Sequence, residues 1–181
     1  MIPLGTIIIE EGLVSKGNIK ERNTVRAIIK NDQNQLLMVY SKLFDDYTFP
    51  GGGMMDHETH EEALKRELKE EIGALDVTII KACGTTKEMR YGIKGTDSIY
   101  MQTSFYYLCD VHKFGSQDLQ KREVIHGLEP EWVTVKHAIE KNEKVMKDER
   151  HQTKGLKTVL IRENMVLNKL KEIDLCENLK S

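Results

Sequence analysis

The segment from Gly52 to Ala74, with the sequence GGMMDHETHEEALKRELKEEIGA, constrains the fold of this chain more than any other stretch. Pro50 and the three glycines that follow it end any preceding strand and permit a tight turn. Thr59 and Glu62 have the spacing of a capping box, and Gly73 is a natural helix terminator. The segment therefore predicts a short helix that begins directly after a glycine turn.

This helix is expected to hold three carboxylates beside an apolar surface. Its apolar residues recur at helical spacing and form one stripe, made by Leu64, Leu68 and Ile72. At about 100° per residue, Glu67 and Glu71 lie together along the edge of the stripe, with Glu70 slightly further round on the same side. The stripe is expected to pack on a core and to hold the three acids at its rim.

Electrostatic repulsion indicates what such a rim needs. Two carboxylates about 6 Å apart repel by roughly 3 kcal/mol at an effective dielectric constant near 20. Either one of them takes up a proton or a divalent cation lies between them. Oxygen ligands favour Mg²⁺ or Mn²⁺, which can bind phosphate oxygens at the same time. The alternative is a solvated charged face with i, i+4 pairs such as Arg66 with Glu70.

The spacing of these residues resembles the Nudix box, the signature of the Nudix hydrolases, usually written GX5EX7REUXEEXGU with U a bulky aliphatic residue. The matching positions are Gly52, Glu58, Arg66, Glu67, Leu68, Glu70, Glu71 and Gly73. The last position departs from the pattern, since Ala74 is smaller than usual. The resemblance implies an α/β protein with the Nudix fold, in which a mixed β-sheet is sandwiched between helices (α/β/α).

The resemblance also implies an activity and a cofactor. Members of this family hydrolyse a diphosphate linkage in a nucleoside diphosphate joined to another group, as in a nucleoside triphosphate, a nucleotide sugar or a dinucleoside polyphosphate. By resemblance, Glu67, Glu70 and Glu71 hold one or more Mg²⁺ ions, or Mn²⁺, with help from a backbone carbonyl near Gly51. The same three glutamates are the expected catalytic residues, with Glu70 or a downstream loop acid as the base. Arg66 is expected to orient a carboxylate.

The downstream acid is sought in the segment from Lys121 to Glu131, because some family members draw an extra carboxylate from a loop before the final strand. This segment offers Glu123, Glu129 and Glu131. Spacing does not choose among them, and Glu129 is our preferred candidate.

Three residues outside the box are candidates for substrate binding. Arg26 and Lys42 lie near the glycine turn on expected strands and carry the charge to contact phosphates. Phe49 ends a brief extended piece that leads into the turn, and we place it beside the substrate.

The remaining pattern predicts one Nudix domain over residues 1–181, with an N-terminal β extension over 1–23 and a closing helix over 153–175. Thr24 to Ile29 and Leu36 to Tyr40 flank a polar turn and predict a hairpin. Val77 to Ala82 and Ile99 to Val111 are rich in β-branched and aromatic residues, which is typical of strands. Apolar residues from Leu156 to Ile173 recur as on an amphipathic helix.

Composition restricts the partners and the compartment. The net charge of −2 and the lack of a basic stripe with aromatics favour a small nucleotide substrate over a nucleic-acid polymer. The three widely spaced cysteines suit reduced thiols in the cytoplasm. The N-terminus has neither a signal peptide nor a membrane-spanning pattern, so no membrane partner is expected. The strand before Thr24 could pair with a second subunit in a homodimer.

Two other functions stay open from the sequence. The chain could be a nucleotide-binding or regulatory Nudix domain without turnover, although such a domain would be expected to lose box glutamates. It could also be a prenyl-diphosphate isomerase on the same fold, which should need a reactive cysteine and a further acid. A metal-dependent pyrophosphohydrolase is the preferred interpretation.

Overall fold

The computed structural model describes residues 1–14, 18–92, 95–148 and 155–172. The strands are β1 (Ile8–Ile9), β2 (Asn18–Ile28), β3 (Leu36–Ser41), β4 (Asp46–Thr48), β5 (Ala74–Gly92), β6 (Gly95–Phe114) and β7 (Leu128–Val133). The helices are α1 (His60–Ile72), α2 (Lys121–His126), α3 (Val135–Lys147) and α4 (Leu156–Glu172).

The strands form two sheets. The first has the order β1-β5-β6-β2 and the second has the order β4-β3-β7. Strands β5 and β6 form a long antiparallel hairpin, and β2 runs parallel to β6. The sheets meet where Lys30 bridges to Leu36 and where the Leu37 amide donates to the Ile29 carbonyl at 2.9 Å. The two segments rich in β-branched and aromatic residues, Val77 to Ala82 and Ile99 to Val111, lie in β5 and β6. Both strands are longer than the sequence pattern indicated.

The predicted hairpin between β2 and β3 is wrong in its pairing. Its turn does form, because the Asn31 side chain accepts hydrogen bonds from the amides of Gln33 and Gln35. Beyond that turn the two strands separate into different sheets, since β2 pairs with β6 over its whole length and β3 pairs with β4 and β7. Long-range partners therefore replaced the local one.

Residues of neighbouring strands alternate between two cores, as a period of two requires. One core packs α1 against both sheets and contains Val25, Ala27, Leu37, Val39, Leu64, Leu68 and Ile72. The other packs α3 and α4 on the opposite face and contains Ile28, Leu36, Met38, Phe49, Tyr106, Ala138 and Leu167. Helices therefore cover both sides of the sheets, and the α/β/α architecture is confirmed.

Helix α1 has the ends that the sequence predicts. Thr59 is its N-cap, with the reciprocal capping-box hydrogen bonds to Glu62. Gly73 ends it in the left-handed conformation at φ 68°, and its amide donates to the Lys69 carbonyl at 3.1 Å. These ends set where the helix begins and stops, and the buried stripe of Leu64, Leu68 and Ile72 sets the direction of its acidic edge.

The closing helix is confirmed over Leu156–Glu172, whereas positions 153, 154 and 173–175 of the expected range lie outside the described residues. Near the N-terminus, β1 pairs in parallel with β5 of the same chain, and the Leu4 amide donates to the Thr85 carbonyl at 2.8 Å. A homodimer through this segment stays a prediction. None of the helices within the described ranges is both long and apolar enough to cross a lipid bilayer.

Candidate active site

Three carboxylates converge where α1 and α2 face the glycine turn. Glu67 and Glu71 come from the second half of α1, and Glu123 comes from α2. One oxygen of each lies within 4.8 Å of the others, and no other group of three metal-binding side chains occurs within the described ranges. Glu67 and Glu71 are only 7% and 8% exposed. The two box glutamates that the helical spacing placed together are therefore adjacent, and a third acid joins them.

Burial makes the charged forms of Glu67 and Glu71 unfavourable. It raises the pKa of Glu71 to about 8, although Arg26 and a 2.7 Å hydrogen bond from the Gly51 amide act in the opposite direction. Burial also raises the pKa of Glu67, against the charge and hydrogen bond of Arg66. The group therefore favours bound protons or an added cation. Three oxygen donors at this separation fit a hard divalent ion such as Mg²⁺ or Mn²⁺.

The glycine turn lets the backbone approach the acids. A side-chain carbon on Gly52 would lie 2.2 Å from Oε2 of Glu67, and one on Gly51 would lie 2.2 Å from the Val25 carbonyl. Gly51 also has a positive φ of 126°. Gly51 needs glycine, because a larger residue would collide with the backbone of the neighbouring strand, and a side chain at Gly52 would displace the Glu67 carboxylate.

Arg66 holds the turn and the helix together. Its guanidinium contacts both oxygens of Glu58, at 2.6 and 2.9 Å, and donates to the Gly53 carbonyl at 3.0 Å. It also donates to Oε1 of Glu67 at 2.7 Å. The hydrogen bonds that Glu58 accepts from Arg66 and from the Met55 amide lower its pKa to about 2. Arg66 therefore orients a carboxylate, as the sequence indicated.

The acids lie in a cleft of about 390 Å³ that also contains a group of arginines: Arg22, Arg26, Arg66, Arg90, Arg122 and Arg162. Arg26 donates to the carbonyls of Phe49 and Gly51. Arg22 opens to the cleft, yet the surrounding protein and the neighbouring arginines lower its pKa to about 10. A hollow of about 540 Å³ elsewhere is larger but contains no comparable acid group among the described residues. Acidic and basic groups thus meet in one cleft.

Glu70 and Gly51 were predicted as metal ligands and have other contacts here. Oε2 of Glu70 accepts a 2.9 Å hydrogen bond from Gln120, and its Oε1 lies 3.6 Å from Arg66. Glu70 is therefore at the edge of the acid group, outside the three converging oxygens. The Gly51 carbonyl accepts a hydrogen bond from Arg26. The roles of Glu70 and Gly51 in metal binding stay predictions.

The structure favours a different downstream acid from Glu129. Glu129 forms an ion pair with Lys42 in which the two side chains are 48% and 58% exposed, and neither residue lines the cleft. Glu123 takes the expected position instead, because the six-residue helix α2 turns it towards the box. Lys42 is accordingly not placed to contact phosphates in the cleft. The available sequence signal was the spacing of Gln120 and Glu123, which forms a capping box at the start of α2.

The burial of Phe49 contradicts its expected contact with the substrate. Its side chain is fully buried and packs edge-to-face on Tyr106, with 5.6 Å between ring centroids. It cannot touch a ligand in the cleft. Its backbone nevertheless makes two hydrogen bonds near the site. The amide donates to Oε2 of Glu163 at 2.9 Å, and the carbonyl accepts from Arg26 at 2.9 Å.

Comparison with known proteins agrees with this geometry. The family model described as NUDIX domain matches residues 20–154, about three quarters of the chain. The chain belongs to the Nudix hydrolase family. Family membership accounts for the α/β/α fold and for an acidic site of the kind that generally takes a divalent metal.

Individual relatives match over shorter segments. The chain is 37% identical over 93 residues to the nucleoside triphosphatase NudI of Enterobacter sp. (strain 638), covering 46% of this chain and 64% of that protein. It is 42% identical over 66 residues to the RNA pyrophosphohydrolase of Marinomonas sp. (strain MWYL1), covering 36% of this chain and 40% of that protein. The alignments thus span less than two thirds of these curated relatives. A solved Nudix hydrolase from Nitrosomonas europaea has 19% identity and a TM-score of 0.48, covering 81% of this chain and 90% of that one.

Proposed function

We propose that this protein is a divalent-metal-dependent pyrophosphohydrolase that cleaves the diphosphate linkage of a nucleoside diphosphate joined to another group. The observation that carries the proposal is the convergence of Glu67, Glu71 and Glu123 within 4.8 Å inside a cleft rich in arginine. Such a pair of charge clusters suits a ligand that is itself polyanionic and brings a metal ion with it.

The acid group is assigned to metal binding. Glu67, Glu71 and Glu123 would hold Mg²⁺ or Mn²⁺, with Glu70 at the edge of the group. When bound, such an ion neutralises phosphate oxygens and lowers the pKa of a water ligand. Arg66 fixes the Glu67 carboxylate, and the Gly51 amide fixes Glu71. The protein thus supplies preformed positions for the charges that phosphoryl transfer requires.

Phosphate binding is assigned to the arginines that open to the cleft. Arg22 has no ion-pair partner among the described residues, so its guanidinium is available to an anion. Arg26 lies between the acid group and the glycine turn, where it shares its donors with backbone carbonyls. The proton acceptor for the attacking water is assigned to Glu123 or Glu70, because both lie at the acid group and are less buried than Glu71.

The decisive experiment measures phosphate and pyrophosphate release from a panel of nucleoside triphosphates, nucleotide sugars and dinucleoside polyphosphates. Wild type should be active with Mg²⁺ and inactive with a chelator. Glu71→Gln should lose at least about 100-fold in kcat/KM, since loss of supporting ligands alone costs 10- to 100-fold. Glu61→Gln is the matched control, because Glu61 lies on the same helix but is exposed and pairs with Lys65 at 2.6 Å.

Near-wild-type turnover by Glu71→Gln, or hydrolysis that does not depend on a divalent ion, would refute the assignment. Binding without turnover of any compound would favour the regulatory-domain alternative. A prenyl diphosphate that is rearranged without phosphate release would favour the isomerase.

The substrate panel should include a short 5′-triphosphorylated RNA, because one relative is named an RNA pyrophosphohydrolase. We propose a small nucleotide as the substrate. Faster turnover of the RNA than of every mononucleotide would replace that part of the proposal and leave the reaction class unchanged.

A further inference from the structure

One acidic side chain in the cleft has no role in the chemistry above. Asp46, on β4, is only 3% exposed, and it lines the cleft. Within the described ranges no hydrogen bond or ion pair reaches its carboxylate. The adjacent Asp45 is different, since its carboxylate accepts from the Tyr40 hydroxyl and pairs with Lys141 at 2.5 Å. A buried, unpartnered carboxylate that faces a cavity is costly unless a ligand satisfies it.

The direction of Asp46 follows from strand alternation. Tyr47 points from β4 into the core, whereas Asp46 and Thr48 on either side line the cleft. The charges closest to Asp46 are other acids, since Glu163 and Asp45 add to the effect of burial and raise its pKa to about 7. No arginine of the cleft compensates it. The carboxylate therefore lacks the donors that its position requires.

The cleft that Asp46 lines is not made of charged groups alone. Its lining also includes apolar and aromatic side chains, namely Phe44, His126, Leu128, Leu156 and Val159. Phe44 and His126 meet edge-on with 5.0 Å between ring centroids, and burial together with Arg122 lowers the pKa of His126, which favours its neutral form. A flat, neutral ring with polar edges fits such walls better than a phosphate or a sugar does.

Asp46 and the three converging glutamates line the same cleft. Asp46 precedes Gly51 by five residues of extended or turning chain, so the two lie at most roughly 17 Å apart. A ligand whose phosphates reach the acid group can therefore place its base in the slot lined by Asp46.

We propose that Asp46 reads the base of the substrate and selects a 2-amino-6-oxopurine, as in a guanine nucleotide. This inference rests on the proposed function for the placement of the phosphates. A carboxylate offers two acceptor oxygens side by side, and guanine offers two adjacent N–H donors on one edge. Adenine and cytosine present an amino group beside a ring nitrogen that is itself an acceptor, so only one contact is favourable. Uracil has a single N–H between two carbonyl groups.

The test compares binding of the αβ-methylene analogues of GDP, IDP and ADP, which cannot be hydrolysed at that linkage, in the presence of Mg²⁺. Hypoxanthine differs from guanine only by the missing 2-amino group. Wild type should bind the GDP analogue about 10- to 100-fold more tightly than the IDP analogue, as expected for one hydrogen bond to a charged group. Asp46→Asn should bring that ratio close to one.

Asp45→Asn is the matched control, because it removes a charge from the neighbouring residue without touching the cleft, and it should keep the guanine preference. Equal binding of the GDP and IDP analogues to wild type would overturn the inference without any variant. A preference for the ADP analogue, a ratio that persists in Asp46→Asn, or no binding of any analogue would overturn it as well.

Turnover of GTP, measured separately, distinguishes the two proposals. Selective binding of the GDP analogue without hydrolysis of any nucleotide would leave base recognition standing and remove the proposed reaction. Hydrolysis without guanine preference would do the reverse.

Discussion

Two groups of charged side chains lie close together in this protein and differ in how their charges are balanced. Two arginines of the cleft, Arg90 and Arg162, face Glu88 and Glu163, with separations of 2.8 Å from Arg90 to Glu88 and 3.1 Å from Arg162 to Glu88. These four side chains are at most 6% exposed. In the acid group, by contrast, three carboxylates converge with only partial compensation from Arg26 and Arg66.

The difference indicates separate roles. A buried group with two positive and two negative charges is balanced in charge, and it links α4 to β5 through Arg162 and Glu88. A group with surplus negative charge at the surface of a cleft needs positive charge from a bound ion or proton to balance it. Substitutions in the first group should therefore change stability, and substitutions in the second should change function.

The largest effect is expected in the balanced group. Arg162→Met leaves Glu88 and Glu163 buried without their shared partner and should lower the free energy of unfolding by about 3 to 5 kcal/mol. Urea denaturation measures this directly. Lys136→Met is the control, because Lys136 pairs with Glu140 at 3.7 Å on the surface and should change stability by less than about 1 kcal/mol. An equally small effect for Arg162→Met would remove the distinction between the two groups.

A smaller effect concerns the pH dependence of stability at Asp46. Its carboxyl has a raised pKa of about 7, against 3.8 for an ordinary aspartate. The folded protein binds this proton more tightly than the unfolded chain does. The contribution to stability is therefore complete below about pH 4 and is lost as the pH rises through about 7.

Asp46→Asn removes this dependence, so its stability relative to wild type should rise by roughly 2 to 3 kcal/mol between about pH 5 and pH 8. Unfolding curves of both proteins at several pH values test this. Parallel pH profiles would show that the carboxylate is compensated by groups that the contacts above do not include.

The smallest effect separates two candidate acids. Glu123→Gln should lower kcat/KM by about 10-fold, because Glu123 contributes to the converging oxygens. Glu129→Gln should leave turnover unchanged and stability within about 1 kcal/mol, because it only breaks an exposed pair with Lys42. The opposite result would restore the original assignment of Glu129 and remove Glu123 from the proposed metal site.

The fold class and the box were readable from the sequence because they depend on local rules. Thr59, Gly73 and the apolar stripe determine where α1 starts, ends and faces, and the positions of Glu67 and Glu71 follow from them. The pairing of β2 and β3 was not readable, since it depends on competition with β6 and β7, which are distant in sequence.

The differences between the predicted site and the structure have the same origin. Glu129 and Glu123 are alternatives whose directions depend on α2, a six-residue helix with a weak sequence signal. The assignment of Phe49 was avoidable, because strand alternation places Phe49 on the same side as Tyr47 and opposite to Asp46 and Thr48. Applying that alternation would have predicted that Asp46, and not Phe49, lines the cleft. Arg22 was missed because nothing local distinguishes it from other cations on β2.

The peptide units flanking Phe49 have a practical consequence. One side of this residue is tied through its amide to Glu163 on α4, and the other is tied through its carbonyl to Arg26 on β2. The glycine turn begins two residues later, so these hydrogen bonds connect the final helix to the turn beside the acid group. Removing the Glu163 carboxylate should therefore leave the Phe49 amide without its acceptor and weaken turnover through the position of the glycine turn.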